Sequence, residues 1–127
     1  DVIVGISRGG LIPAVRISHI FDNKRLLLME AKYYKDIGVR DDKPKITLQL
    51  KNEDIAGKRV LLVDDVADTG GTLVVVKEYI ESLSPKDLKV AVVASKPISL
   101  VKPDYTVFNT DRWIIFPWEK MPVEKKK

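Results

Sequence analysis

Lys58-Arg-Val-Leu-Leu-Val-Asp-Asp-Val-Ala-Asp-Thr-Gly-Gly-Thr72 carries an apolar run straight into paired acids and then into a loop of small residues. Val60 to Val63 predict a buried parallel strand, and Leu73 to Ile80 predict an apolar helix, so the intervening loop lies at a helix N-terminus. Anions bind at such places. The amides of a first helical turn have no intrahelical acceptor, and the helix dipole adds roughly half a positive charge there. Gly70 and Gly71 let a phosphate approach the backbone, and the hydroxyls of Thr69 and Thr72 add donors. Asp64 and Asp65 would repel a phosphate in a poorly solvated cleft unless a divalent cation or sugar hydroxyls stood between them. Hard oxygen ligands of this kind suit Mg2+, which is commonly shared between one or two carboxylates and a substrate phosphate. A sugar phosphate fits the whole stretch, and Asp68 is left over for chemistry.

The residues from Val60 to Thr72 resemble the signature of the type I phosphoribosyltransferases, which use 5-phosphoribosyl 1-pyrophosphate. The resemblance implies that Asp64 and Asp65 hold the ribose hydroxyls and the metal. It implies that Asp68 lies near the base as the catalytic carboxylate, and that Ala67, Asp68, Thr69, Gly70, Gly71 and Thr72 bind the 5-phosphate. Two other patterns do not fit. A P-loop would need a Gly-Lys-Ser/Thr ending that the chain lacks. A phosphoacceptor receiver domain would place its acid-tipped strand first and would not follow it with Thr-Gly-Gly.

A second loop repeats the geometry. Val2 to Ile6 predict another apolar strand, which runs into Ser7-Arg8-Gly9-Gly10 and then into an apolar helix from about Leu11 to Phe21, with Pro13 tolerated in its first turn. A planar guanidinium on a Gly-flanked loop grips pyrophosphate oxygens by parallel hydrogen bonds. In the family resembled, this loop binds pyrophosphate, which assigns Ser7, Arg8 and Gly9 to that group and implies a cis peptide next to Arg8.

The C-terminal third supplies candidates for the base. Asp111-Arg-Trp-Ile-Ile-Phe-Pro-Trp-Glu119 resembles the Trp-Ile-x-x-Pro-Trp-Asp stretch of xanthine-guanine phosphoribosyltransferases, with Glu119 at the Asp position and Ile115 where that pattern has Glu. Trp113 offers a flat stacking platform, of the kind worth about 1–3 kcal/mol per base in nucleic-acid complexes. Trp118 reads as structural. Val90-Ala-Val-Val-Ala-Ser-Lys-Pro97 matches the 6-oxopurine enzymes in order and type, which makes Lys96 the donor to a purine carbonyl. A cationic donor leaves the amino group of adenine facing a second donor, at a cost of about 1–3 kcal/mol. Base binding is therefore expected from Lys96, Trp113 and Ile114, with Glu119 a further metal ligand beside Asp64 and Asp65.

Between the two loops, Arg25 to Tyr34 and Ile46 to Leu50 predict strands, and Asp36 to Pro44 is polar. Tyr33, Tyr34, Lys35, Arg40, Lys43 and Lys45 give this stretch the groups of a lid that closes over pyrophosphate. His19, the only histidine, is assigned no role.

Composition bounds the rest. At 127 residues and 45% apolar content the chain suits one domain, 1–127, with a core, and no run reaches transmembrane length. No cysteine is present, which excludes disulfides and thiolate metal sites and fits the cytoplasm. Lys and Arg exceed Asp and Glu, 22 against 18, part of the excess being the terminal Lys125 to Lys127, and polyanionic substrates account for it. The chain opens in a strand without Met, so an upstream segment, a helix in the family resembled, is expected to be missing.

The fold expected is α/β: a doubly wound, mainly parallel sheet with ligands at the strand carboxyl ends, a flexible lid loop and a small C-terminal base-binding segment. The function implied is Mg2+-dependent phosphoribosyl transfer to xanthine, guanine or hypoxanthine, by a homo-oligomer (dimer or higher). The rival is a non-catalytic regulator that senses the sugar pyrophosphate and binds nucleic acid. A sensor would not need Lys96 and Trp113 in base-pocket order, and the chain has no helix-turn-helix signature or basic aromatic stripe.

Overall fold

The computed structural model describes residues 1–33, 35–36, 39–40 and 44–119. Strand β1 (Val2–Ile6) is buried along its whole length because it pairs in parallel on both sides, with β2 (Leu26–Lys32) and with β6 (Arg59–Ala67). A strand in that position has no solvated face, and Val-Ile-Val-Gly-Ile supplies no polar side chain. The six-stranded sheet has the order β5-β2-β1-β6-β7-β8, where β7 is Asp87–Ser95, β8 is Tyr105–Asn109 and β5 (Lys45–Leu48) alone runs antiparallel to its neighbour. A separate two-stranded ribbon pairs β3 (Lys35–Asp36) with β4 (Val39–Arg40).

Two helices cover opposite faces. Helix α3 (Gly71–Glu81) buries Leu73, Val76 and Ile80 in one core with Val2, Val4, Ile6, Leu62, Val90 and Val92. The short helix α2 (Asn52–Ile55) adds the fully buried Ile55 to that core. Helix α1 (Leu11–Ile20) sets Ala14 against Ile3, Val63 and Ala91 on the other side, the residues that alternate with the first set along the strands. Helix α1 leads from β1 outward to β2, and α3 leads from β6 outward to β7 in the opposite direction. The winding therefore reverses between β1 and β6, and ligands of open α/β sheets bind at the carboxyl ends of such a pair.

Some boundaries differ from those the sequence predicts. Strand β6 does not stop at Val63. Its pairing with β7 continues through Asp64↔Val92 to Ala67↔Ser95, so the paired acids and Ala67 belong to the strand. Helix α3 begins at Gly71, two residues before the apolar run, because the N-terminal turn of a helix needs no apolar side chain while its amides face outward. The strands expected over Arg25 to Tyr34 and Ile46 to Leu50 are shorter or shifted, at Leu26–Lys32 and Lys45–Leu48. Of the expected lid, Tyr34 and Lys43 and the side chains of Lys35 and Arg40 lie outside what is described, as do the terminal lysines. His19 is exposed on α1.

Candidate active site

The two acids at the end of β6 are held by their own backbone. Asp64 Oδ1 accepts from the amide of Asp65 at 2.8 Å, and Asp65 Oδ1 accepts from the amide of Val66 at 2.8 Å. Burial, and then the charge of Asp65, push the Asp64 carboxyl well above the usual carboxylate range. The pair is thus a site that lacks positive charge. Two neighbouring carboxylates with hard oxygens fit Mg2+ in the manner of a substrate-shared ion. Glu119 is engaged by its own segment, since it ends a 3₁₀ turn (Pro117–Glu119) and its Oε1 accepts from the amide of Phe116 at 3.0 Å. Among the described residues no three acidic or histidine side chains gather as a metal cage.

The loop after β1 closes against these acids. The amide of Gly10 donates to Ile6 O at 2.9 Å and that of Leu11 to Arg8 O at 3.0 Å, a tight turn that leads into α1. The Ser7–Arg8 peptide is cis, as the resemblance implied. A Cβ at Gly9 would collide with the Asp65 carboxylate as it is placed, so any larger residue there would have to push that side chain aside. Arg8 is exposed beside it.

On the far side of the acids, residues 64–73 and Tyr33 line a cavity of about 280 Å³. Its floor is the turn from β6 into α3. Gly70, the N-cap, has φ +91°, and a Cβ there would lie 2.6 Å from the amide nitrogen of Leu100. Among the described residues no side chain caps the helix. The Lys96 amide donates to Ala67 O at 2.8 Å and the Leu100 amide to Thr69 O at 2.9 Å, which fastens the turn to the segment after β7. No sequence signal places Tyr33 in this cavity. It reads there only as part of the lid, and its place follows from the length of β2, which a local pattern does not fix.

Lys96 and Asp68 meet. The ammonium stands 3.3 Å from Asp68 Oδ1, with the Lys96 side chain 12% exposed and that of Asp68 42% exposed. The same nitrogen lies 5.4 Å from the Trp113 ring centroid. The register explains the meeting, because Ala67 is paired with Ser95 and the next residue on each strand is Asp68 and Lys96. Trp113 is 79% exposed, so one face of the indole is open. Ile114 is half-buried next to it. Phe116, which the sequence did not single out, anchors this segment: it is buried and stacks on Trp118 at 4.7 Å with the rings 6° apart. Trp118 packs on Phe116, the kind of contact a structural residue makes.

The structure therefore brings Ser7 to Gly9, Asp64, Asp65, and the turn from Ala67 to Thr72 to the carboxyl ends of β1 and β6, and joins Lys96 and Trp113 to Asp68. Comparison with known proteins agrees with this fold. The chain is 49% identical to a purine phosphoribosyltransferase from Pyrococcus horikoshii, with a TM-score of 0.85 over 99% of this chain and 82% of that one. It is 35% identical over 119 residues to a xanthine-guanine phosphoribosyltransferase of Desulfotalea psychrophila, covering 92% of this chain and 69% of that protein. The namesake enzyme of Cereibacter sphaeroides is 31% identical over 121 residues, covering 92% and 68%. The profile of the phosphoribosyl transferase domain matches residues 1–124, and with its mostly parallel sheet the chain belongs to that family, in its type I fold.

Proposed function

We propose that this chain transfers the 5-phosphoribosyl group from 5-phosphoribosyl 1-pyrophosphate to a 6-oxopurine, giving a nucleoside monophosphate and pyrophosphate in purine salvage. The observation that carries the reading is the Lys96 ammonium, 3.3 Å from Asp68 and 5.4 Å from the Trp113 ring, with Asp68 also lining the cavity at the end of β6. The names of the similar enzymes support the same class of acceptor.

In this reading the amides and hydroxyls from Ala67 to Thr72 take the 5-phosphate, Asp64 and Asp65 take the ribose hydroxyls, and Ser7, Arg8 and Gly9 take the pyrophosphate. Asp64 and Asp65 would hold Mg2+, with substrate oxygens and water completing its shell. Bound there, the ion offsets the negative charge of the sugar pyrophosphate. Trp113 stacks the purine, Ile114 lines its edge, and Lys96 donates to its carbonyl. The bond from ribose C1 to the pyrophosphate oxygen breaks with its electron pair leaving on pyrophosphate, while the purine nitrogen bonds to C1 from the opposite face. The proton of the purine goes to Asp68, a role typically worth about 10²–10⁴-fold in rate.

The test is pyrophosphate release from the sugar pyrophosphate and Mg2+ with hypoxanthine, guanine, xanthine or adenine offered separately. Turnover with the three oxopurines and not with adenine is expected. Binding of the sugar pyrophosphate without turnover on any base would turn the assignment to the sensor reading.

A further inference from the structure

The two side chains assigned to the base are already in contact with each other. An ammonium that is paired with Asp68 and lies 5.4 Å from the Trp113 ring centroid stands next to the indole on which the base would stack, so an incoming ring carbonyl competes with the Asp68 carboxylate for it. The carboxylate needed as proton acceptor is likewise held by that ammonium. We infer that the Lys96–Asp68 ion pair is a latch opened by the acceptor base: a ring carbonyl takes the ammonium, and the exchange releases Asp68 to receive the purine proton. The inference rests on the purine-transfer reading above.

The pair is suited to such an exchange. Lys96 is mostly withdrawn from water, so its ammonium requires a partner oxygen in both states, whereas Asp68 is exposed enough to be solvated once released. A purine carbonyl can replace the carboxylate as acceptor. An amino group at the same position cannot, because it brings only a donor, and the pair stays closed. Selection against adenine then includes failure to free the proton acceptor as well as weak binding, so it acts on turnover. The backbone does not need to move, since the amide of Lys96 stays bonded to Ala67 O at 2.8 Å and only side chains exchange.

Calorimetric titration of the full chain with inosine monophosphate and with adenosine monophosphate tests the latch without turnover. Asp68→Asn removes the competing carboxylate charge and should tighten binding of inosine monophosphate by about threefold or more, as expected for a partly buried ion pair. Binding of adenosine monophosphate should not change. The gain should vanish when Lys96→Gln is added. Asp68→Ala runs alongside, because it removes the carboxylate without offering an amide to the purine ring. Unchanged or weaker binding of inosine monophosphate in both Asp68 variants overturns the latch. So does a gain shared by adenosine monophosphate, or one that survives in the double variant, since it would not come from the released ammonium. A parent chain that binds neither nucleotide while taking up the sugar pyrophosphate overturns the purine reading itself, and the latch with it.

Discussion

At the scale of single residues, Asp64 is a group that the folded chain would be more stable without. Burial and the neighbouring Asp65 raise its carboxyl pKa, so the folded state holds that proton more tightly than the unfolded chain does. The sign follows: the penalty is absent at low pH, where the group is protonated in both states, and grows as pH rises from the ordinary value of 3.8 through the raised one. Asp64→Asn should therefore raise the melting temperature of the ligand-free chain at neutral pH, by roughly 2–6 °C, as followed by circular dichroism in metal-free buffer. The same substitution should weaken retention of the sugar pyrophosphate. A lowered melting temperature would mean that the carboxylate is satisfied by the protein alone.

At the scale of elements, the turn from β6 into α3 is set by backbone geometry. Gly70 combines φ +91° with a close approach to the Leu100 amide, two reasons against any side chain. Gly70→Ala should cost about 1–3 kcal/mol, read as a fall in the denaturation midpoint at unchanged slope, together with weaker binding of the sugar pyrophosphate. Elements of this kind were the most legible part of the sequence. Apolar runs ending in acids or Gly marked β1, β6 and both main helices, because a strand buried on both sides admits no polar residue and a close turn admits no Cβ. Boundaries were less legible. Asp64 to Ala67 read as strand end and loop, since their pairing with β7 is fixed by a partner more than twenty residues away. The Lys96–Asp68 contact was hidden for the same reason, although each residue was picked out by its motif. At Glu119 a motif position suggests a metal ligand, and the structure adds what the motif does not show, a hydrogen bond from the Phe116 amide to one of its oxygens.

At the scale of the whole molecule, the residues of the candidate site come from distant parts of the chain. Ser7 to Gly9 follow β1, Asp64 to Thr72 span β6 and α3, Lys96 follows β7 and Trp113 follows β8. A ligand that touches several of them should stabilise the fold as a unit. With Mg2+ present, the sugar pyrophosphate at about a hundred times its dissociation constant should add roughly 2.7 kcal/mol, seen as a rise of several degrees in the calorimetric melting temperature. Asp64→Asn should blunt that rise.

The ladder between β6 and β7 carries a further consequence. Every paired residue across it is separated by the same sequence distance, and Asp68 and Lys96 continue that series by one step. The ladder is a reading frame for which of these side chains face each other. Deleting one residue within β6 would pass Asp68 out of frame with Lys96 though both survive, whereas a deletion in the turn between α3 and β7 would leave them facing each other. A change of length in the connections of this chain would thus leave the pair intact, whereas one along these two strands would part it.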